Sequence, residues 1–270
     1  MIENDHNLTG CARIKSLMTV QNKEGKILEL LEKNNIVYTS ELTDYLSASE
    51  ATVRRTLAQL EKAGRLRRIN GGAVRMYRGM ILKPEDEIFM KDRVLVNRQE
   101  KRAVAEYACR EVQDGECLFL DGGSSIAPMI EFLKDREVRI VTNNHLILSQ
   151  LDETSRAEVI IAGGIYLKQY AMSVGRPARE ETARHTYDRC FLSCMGFDIQ
   201  ADMTYTTEPE TADIKYAAAE NSRRTVLLAE HSKCGIHGFC KLLPVSSFDA
   251  VYCDSLSDQT EPPDNMVLVR

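Results

Sequence analysis

Apolar residues recur at helical spacing in the first third of the chain and then give way to short continuous runs. In KEGKILELLEKNN, Ile27, Leu30 and Leu31 fall at i, i+3 and i+4, which predicts a first amphipathic helix. Thr39 or Ser40 is placed to cap a short second helix carrying Leu42, Tyr45 and Leu46. Ser47-Ala48-Ser49 is a turn, and Ser49 is the natural N-cap of a third helix, EATVRRTLAQLEKAG. That helix has Val53, Leu57 and Leu60 on one face and ends at Gly64. The arginine-rich RLRRINGGAVR, turning at Gly71-Gly72, predicts a β-hairpin. From about residue 96 the rhythm changes. A helix over NRQEKRAVAEYACREV leads into the apolar run CLFL, the turn DGGSS and a helix over IAPMIEFLK. The runs VRIVT, EVIIA, CFLSCM, TVLLA and AVYC follow, most of them separated by enough chain for a helix. Continuous apolar strands alternating with helices predict a mostly parallel sheet covered by helices. The expected organisation is a flexible polar tail over 1–20, a compact helical domain over 21–75 and a linker over 76–95 containing Gly79 and Pro84. An α/β domain over 96–258 and a C-terminal tail over 259–270 complete it.

With 270 residues, 43% of them hydrophobic and 28% charged, the chain can bury a core and suits one large or two unequal domains. No uninterrupted apolar run exceeds four residues, so no membrane-spanning helix is expected. The first twenty residues carry Glu3, Asp5 and His6 and no long apolar core, so no secretory signal is expected either. The eight cysteines, at 11, 109, 117, 190, 194, 234, 240 and 253, show no CxxC spacing and no zinc-like pairing with histidine. Reduced, structural thiols in a cytoplasmic protein are expected, with no metal and no cofactor. Cys234, beside Lys233, is the one thiol whose pKa a neighbour can lower. His145, His185, His231 and His237 have no spacing that suggests a metal site.

A total of 35 Lys and Arg against 40 Asp and Glu, net −5, argues against a nucleic-acid partner only if charge is evenly spread. It is not. Residues 21–78 hold 11 basic and 7 acidic residues, a net of +4 that leaves −9 for the rest. Between Arg54 and Arg78 there are eight basic residues and one acid, Glu61. Thr52, Arg55, Thr56 and Gln59 form a polar stripe opposite the Val53/Leu57/Leu60 stripe. A helix with one dry face and one cationic, hydrogen-bonding face is what reading a major groove requires. The hairpin that follows offers Arg67 and Arg68 for phosphate contacts that fix register.

These motifs closely resemble the DeoR family of bacterial transcription regulators. Its N-terminal winged helix-turn-helix has a pattern close to R-x-x-I-L-x-L-L, S-x-x-T-[IV]-R-R-D-L-x-x-L-E-x-x-G and R-x-H-G-G-A. This chain supplies GKILELL, SEATVRRTLAQLEKAG and RINGGAV. Thr56 stands where the family has Asp, and Asn70 where it has His. The match spans about 50 residues here and continues along the chain. The resemblance implies a two-domain fold, a mostly α winged helix-turn-helix followed by an α/β sensor domain. It also implies that Ser49, Thr52, Arg54, Arg55, Arg67 and Arg68 face double-stranded operator DNA. From helical phase alone, Arg54 can instead bond the phosphate backbone or a neighbouring helix.

In CLFLDGGSSIAPMIEFL, Gly122 and Gly123 let the backbone curl, and Ser124 and Ser125 add hydroxyl donors to the amides that open the next helix. Such a turn binds a phosphate or is simply tight. The family has D-[SG]-G-[ST]-T at this point, and its C-terminal domain resembles ribose-5-phosphate isomerase. The resemblance therefore implies that Gly122–Ser125 cradle a phosphorylated sugar or related metabolite, with Lys233, of AEHSKCG, as cation. Asp121 is a ligand for sugar hydroxyls or a helix cap. Asn143, within VTNN, contacts the effector or satisfies its own turn. Gly163 and Gly164, of IAGG, and Gly175 line the effector site or permit close packing. Glu230 replaces an Asp usual in the family. Family likeness further implies a repressor that works as a homodimer or homotetramer. A sugar-phosphate isomerase with a DNA-binding appendage is the competing class. It needs a poised carboxylate, and Asp121, Asp198, Asp213 and Glu230 do not reproduce the isomerase's Asp-Glu dyad or its Glu-Lys signature.

Overall fold

A computed structural model describes residues 23–76, 81–257 and 259–269. The sequence-predicted flexible tail, together with Cys11, Arg78 and Gly79, lies outside the described residues. The chain divides into two compact units, one ending at Met76 and one formed by the remainder.

In the first unit, helix α1 covers residues 23–34 and is followed by β1 (Ile36–Tyr38), α2 (Thr39–Tyr45), α3 (Glu50–Lys62), β2 (Leu66–Ile69) and β3 (Gly72–Arg75). Val53, Leu57 and Leu60 of α3 are buried with Ile27, Leu31, Leu42 and Leu66 in one core. Each such side chain stabilises the unit by roughly 1.5–3 kcal/mol. Ser49 caps α3, its side chain accepting a hydrogen bond from the Thr52 amide. Helix α2 differs from expectation: it starts at Thr39 behind Tyr38, with no side-chain cap. The three strands form an antiparallel sheet in the order β1-β3-β2. Its hairpin turns one residue earlier than predicted, at Asn70-Gly71, with Ile69 opposite Gly72 and Gly71 at φ +82. Gly72 is needed for another reason, since a Cβ there would come within 2.1 Å of the Val37 carbonyl oxygen in β1.

The second unit begins with β4 (Ile81–Leu82), α4 (Met90–Arg93) and α5 (Arg98–Cys109). Next come β5 (Cys117–Leu120), α6 (Ile130–Leu133), β6 (Arg139–Thr142), β7 (Glu158–Ile161), the hairpin β8 (Ile165–Leu167) and β9 (Met172–Val174), and α7 (Arg176–Ala183). The chain continues through β10 (Arg189–Ser193), β11 (Gly196–Asp198), β12 (Met203–Thr206), α8 (Pro209–Glu220) and β13 (Thr225–Leu228). It closes with β14 (His237–Gly238), β15 (Cys240–Lys241), β16 (Ala250–Cys253) and β17 (Met266–Leu268). Seven strands make a sheet in the order β17-β16-β13-β10-β5-β6-β7, and every neighbouring pair is parallel. Alternate side chains supply two cores. Phe119, Val141, Leu192 and Leu227 pack on one face with Ile214 and Ala218 of α8. Leu118, Leu120, Ile140, Phe191 and Val226 pack on the other with Val104, Ala105 and Ala108 of α5. Both faces are covered, which is why the strands read as unbroken apolar runs.

Two segments differ from their sequence reading. Within the predicted linker, residues 81–95 are ordered against the second unit. β4 pairs with β14, Pro84 opens a 3-10 turn, and Leu82, Glu87, Met90 and, just beyond it, Val96 are buried. Within the predicted C-terminal tail, Met266–Leu268 forms β17, paired in parallel with β16.

Candidate functional site

On α3 the polar stripe separates into distinct roles. Arg55 and Gln59 are exposed, and their side chains make no hydrogen bond or ion pair among the described residues. Arg54 is exposed but pairs with Glu50 one turn earlier, Nη2 to Oε1 at 2.6 Å. Thr52 is drawn into the cap, its hydroxyl 2.9 Å from that of Ser49. Thr56 does not face outward as the stripe predicted. It is buried, and its hydroxyl donates to the Thr52 carbonyl at 3.0 Å, so this threonine serves the dry face. In the hairpin, Arg68 folds onto the end of α3, its amide donating to Glu61 Oε1 at 2.8 Å. Arg67, also in β2, is half-buried.

In the second unit, the chain runs from β5 outward through β6 and β7, then crosses to β10 and outward through β13, β16 and β17. The order therefore reverses between β5 and β10, and open α/β sheets bind ligands beyond the strand ends at such a reversal. Asp121 leaves the end of β5 there and Ser193 ends β10. Asp121 Oδ2 accepts from the Ser193 amide at 2.9 Å and from its hydroxyl at 2.5 Å. Lys215 of α8 donates to the same oxygen and to the Ser193 carbonyl, the latter at 3.0 Å. Side-chain exposures of 6% for Lys215 and 2% for Asp121 make this a buried ion pair. Gly123 is forced by the same contact, since a Cβ would meet Ser193 Oγ at 1.9 Å. Asn144 holds the turn from just after β6, its side-chain Nδ2 donating to the carbonyls of Asp121 at 3.1 Å and Gly123 at 3.3 Å.

Ser124 and Ser125 are both buried, and Ser124 Oγ has no hydrogen-bond partner among the described residues. Lys233 donates to Ser125 Oγ at 3.0 Å and to the Cys194 carbonyl at 2.8 Å, so it braces the turn from the segment after β13. A solvent-open cleft lies beside this turn. Gly123, Ser193, Cys194, Thr206, Thr207 and Lys215 contribute to its wall, and Glu87 and Arg93 reach it from the segment expected to be a linker. Gly122 is buried, its backbone lying against the Met172 side chain.

The remaining predicted residues are elsewhere. Asn143 donates to the Ser173 carbonyl at 2.9 Å, which leaves its buried Oδ1 unpartnered among the described residues. Gly163 is exposed, Gly164 lies against the Val174 carbonyl, and Gly175 precedes α7 at φ +87. None of these four lines the cleft. Glu230 caps the turn at 231–233 and accepts from Asn97 Nδ2 at 2.7 Å. Burial pushes the Cys234 thiol up, not down as its neighbour Lys233 suggested. The same effect takes Cys194 to about 11. Seven cysteines are free thiols, and no cluster of His, Cys, Asp and Glu fit to hold a metal occurs among the described residues.

Residues 24–78 match the model of the DeoR-like helix-turn-helix domain, and residues 96–255 match that of the DeoR C terminal sensor domain. The chain is similar to the uncharacterized HTH-type transcriptional regulator YulB of Bacillus subtilis, with 32% identity over 238 residues, 88% of this chain and 90% of that one. It is 29% identical to the transcriptional repressor AccR of Agrobacterium fabrum over 216 residues, 80% of this chain and 82% of that one. The glycerol-3-phosphate regulon repressor of Escherichia coli is 27% identical over 239 residues, 88% of this chain and 92% of that one. The sensor-domain match alone takes in more than half of the sequence, and with the reader domain before it the chain belongs to the DeoR family of transcriptional regulators.

Proposed function

We propose that this regulator is a cytoplasmic repressor whose grip on double-stranded operator DNA is set by a phosphorylated sugar or related metabolite bound in its second unit. The Asp121–Ser125 turn carries the ligand reading. It sits at the reversal of the sheet, holds the buried, unpartnered hydroxyl of Ser124 and is braced by the Lys233 ammonium on Ser125. Phosphoryl oxygens entering there take a hydrogen bond from Ser124 and charge from Lys233, and the rest of the molecule lies in the cleft. On the DNA side, Arg55 and Gln59 read base edges, and Arg54, Arg67 and Arg68 contact phosphates. A homodimer or homotetramer presents two readers to two half-sites, since one helix-turn-helix specifies few base pairs.

The chain is a binder and not a catalyst. Isomerisation requires a carboxylate free to carry a proton between carbons. Here Asp121 is committed to Lys215 and Ser193, Asp198 to His237, and Glu230 to Asn97 and Ser232. Asp213 is exposed. A thermal-shift screen of phosphorylated sugars on the full chain tests this reading, because a ligand selective for the native state raises its melting temperature by mass action. At least one compound should stabilise the wild type and fail to stabilise Lys233→Ala. An absence of hits reduces the turn to structure, and Lys233-dependent turnover of a pentose phosphate reverses the order of regulator and enzyme.

A further inference from the structure

Glu87 is a carboxylate buried in the wall of the cleft, with a side-chain exposure of 2%. Three donors from three parts of the second unit converge on it. The Thr207 hydroxyl, just after β12, donates to Oε1. The Tyr170 hydroxyl, from the β8–β9 hairpin, reaches the same oxygen at 3.5 Å. The Arg93 guanidinium of α4 pairs with Oε2 and also stacks over the Tyr170 ring, 5.4 Å from its centroid. A guanidinium, a phenol and a hydroxyl aimed at one point make a receptor for an oxyanion. That point belongs to a cleft open to solvent, and the anion that fills it comes from the protein itself.

Besides these donors, the segment that supplies this anion is held to the second unit by the pairing of β4 with β14, by the buried side chains of Leu82 and Met90, and by a few polar links. Gln169 donates to the Pro84 and Glu87 carbonyls at 2.8 and 3.1 Å, and the Met90 amide donates to the Gln169 carbonyl at 2.7 Å. Lys101 of α5 donates to the Arg93 carbonyl at 2.7 Å. In sequence, the same segment joins the DNA-reading unit to the sensor.

We infer that Arg93, Tyr170 and Thr207 form a second anion subsite, distinct from the Ser124/Ser125/Lys233 turn, in which Glu87 is a built-in stand-in for an acidic group of the ligand. The natural guest carries a carboxylate or phosphoryl group that reaches this subsite. Its oxyanion takes over the three donors, and Glu87, displaced, loosens the 81–95 segment that leads to the reader. This goes beyond the reading of the turn as a phosphate site and does not depend on it. A site occupied by an internal competitor binds its guest more weakly by the fraction of time it stands open, so removing the competitor's charge raises affinity.

The test is a calorimetric titration of inorganic phosphate, and in parallel of acetate, into the full chain. Wild type, Glu87→Gln, Lys233→Ala, Glu87→Gln/Lys233→Ala and Glu87→Gln/Thr207→Val are compared. Glu87→Gln should bind one of the two anions roughly tenfold more tightly than wild type, or show an additional site. That gain should survive Lys233→Ala and disappear with Thr207→Val. Trypsin should also cut after Lys91 faster in Glu87→Gln than in wild type. A folded Glu87→Gln that binds both anions as wild type does overturns the second subsite, even if Lys233→Ala abolishes phosphate binding and so upholds the turn. A gain in Glu87→Gln with no effect of Lys233→Ala upholds the subsite and removes the turn reading. Should the Gln variant fail to fold, Glu87→Asp keeps the charge beside Arg93 and withdraws it from Thr207 and Tyr170. It must then show the same gain in smaller measure, and wild-type affinity in that variant overturns the subsite equally.

Discussion

A lysine buried between a helix and a sheet is stable only while its charge is answered, and among the described residues Lys215 of α8 is answered by one carboxylate, Asp121, 94 residues away in sequence. Removing one member leaves an uncompensated buried charge. Lys215→Met should lower unfolding free energy by about 3–5 kcal/mol in urea titrations, and Asp121→Asn/Lys215→Met should recover most of the loss. A single-variant loss below about 1 kcal/mol, as for an exposed pair, would contradict the buried pairing. This pair also marks where sequence reading falls short. Asp121 was legible as the head of a DGGSS turn, but Lys215 lies in the apolar stretch DIKYAAAE, and nothing local says that its ammonium points inward. Thr56 misled in the opposite sense. Its polarity placed it on the outward stripe, whereas a threonine on a helix can turn its hydroxyl back onto the preceding turn and bury its methyl.

At the scale of elements, α3 offers two neighbouring arginines in different states. Arg55 has no partner among the described residues, while Arg54 is already held by Glu50. Arg55→Ala should cost roughly 1–3 kcal/mol of operator binding, concentrated at one base pair. Arg54→Ala should weaken all sequences alike and reduce the salt slope. Anisotropy titrations against single-base operator variants separate the two, and equal losses on every sequence would make Arg55 a phosphate contact. The elements legible from sequence are those whose burial imposes a period. In α3 and α5 that period follows from one dry face, and in β5, β10, β13 and β16 the runs are continuous because both faces are covered. Among the illegible ones are β1, β4 and β14, two or three residues long and too short to show a period. Glu87 and Arg93 were hidden for that reason, inside a stretch that Gly79 and Pro84 made look like a linker.

One joint between short elements gives a pH signature. Asp198, at the end of β11, accepts the Ala201 amide at 2.9 Å and meets His237 Nε2 of β14 at 2.8 Å. The backbone amide first, and then the histidine, hold its carboxyl below the ordinary aspartate range. A depressed folded value contributes stability that is full above the unfolded value of about 4 and lost as pH falls through the folded one. Unfolding midpoints of wild type should therefore fall relative to Asp198→Asn as pH drops below about 4. Parallel curves down to the acid limit would leave Asp198 without this role.

For the whole molecule, the net charge of −5 conceals a reader of +4 over residues 21–78 and a remainder of −9. The reader has its own core, from Ile27 and Leu31 through Val53, Leu57 and Leu66 to Ala73, so residues 1–78 should fold when expressed alone. Non-specific affinity for DNA comes almost wholly from phosphate neutralisation and counterion release. An acidic body tethered to the reader repels the same phosphates over about a Debye length, roughly 10 Å at 0.1 M salt. On random-sequence duplex at low salt, the isolated reader should therefore bind at least as tightly as one reader of the full chain. On the operator the order should invert, because the proposed dimer or tetramer of the full chain would place two readers on two half-sites. Anisotropy titrations of both proteins on both duplexes, at several salt concentrations, measure all four affinities. A 1–78 fragment with no salt-dependent binding would remove the reader assignment. A full chain that binds random duplex more tightly per reader would show that the −9 of the remainder does not shield DNA from non-specific contact.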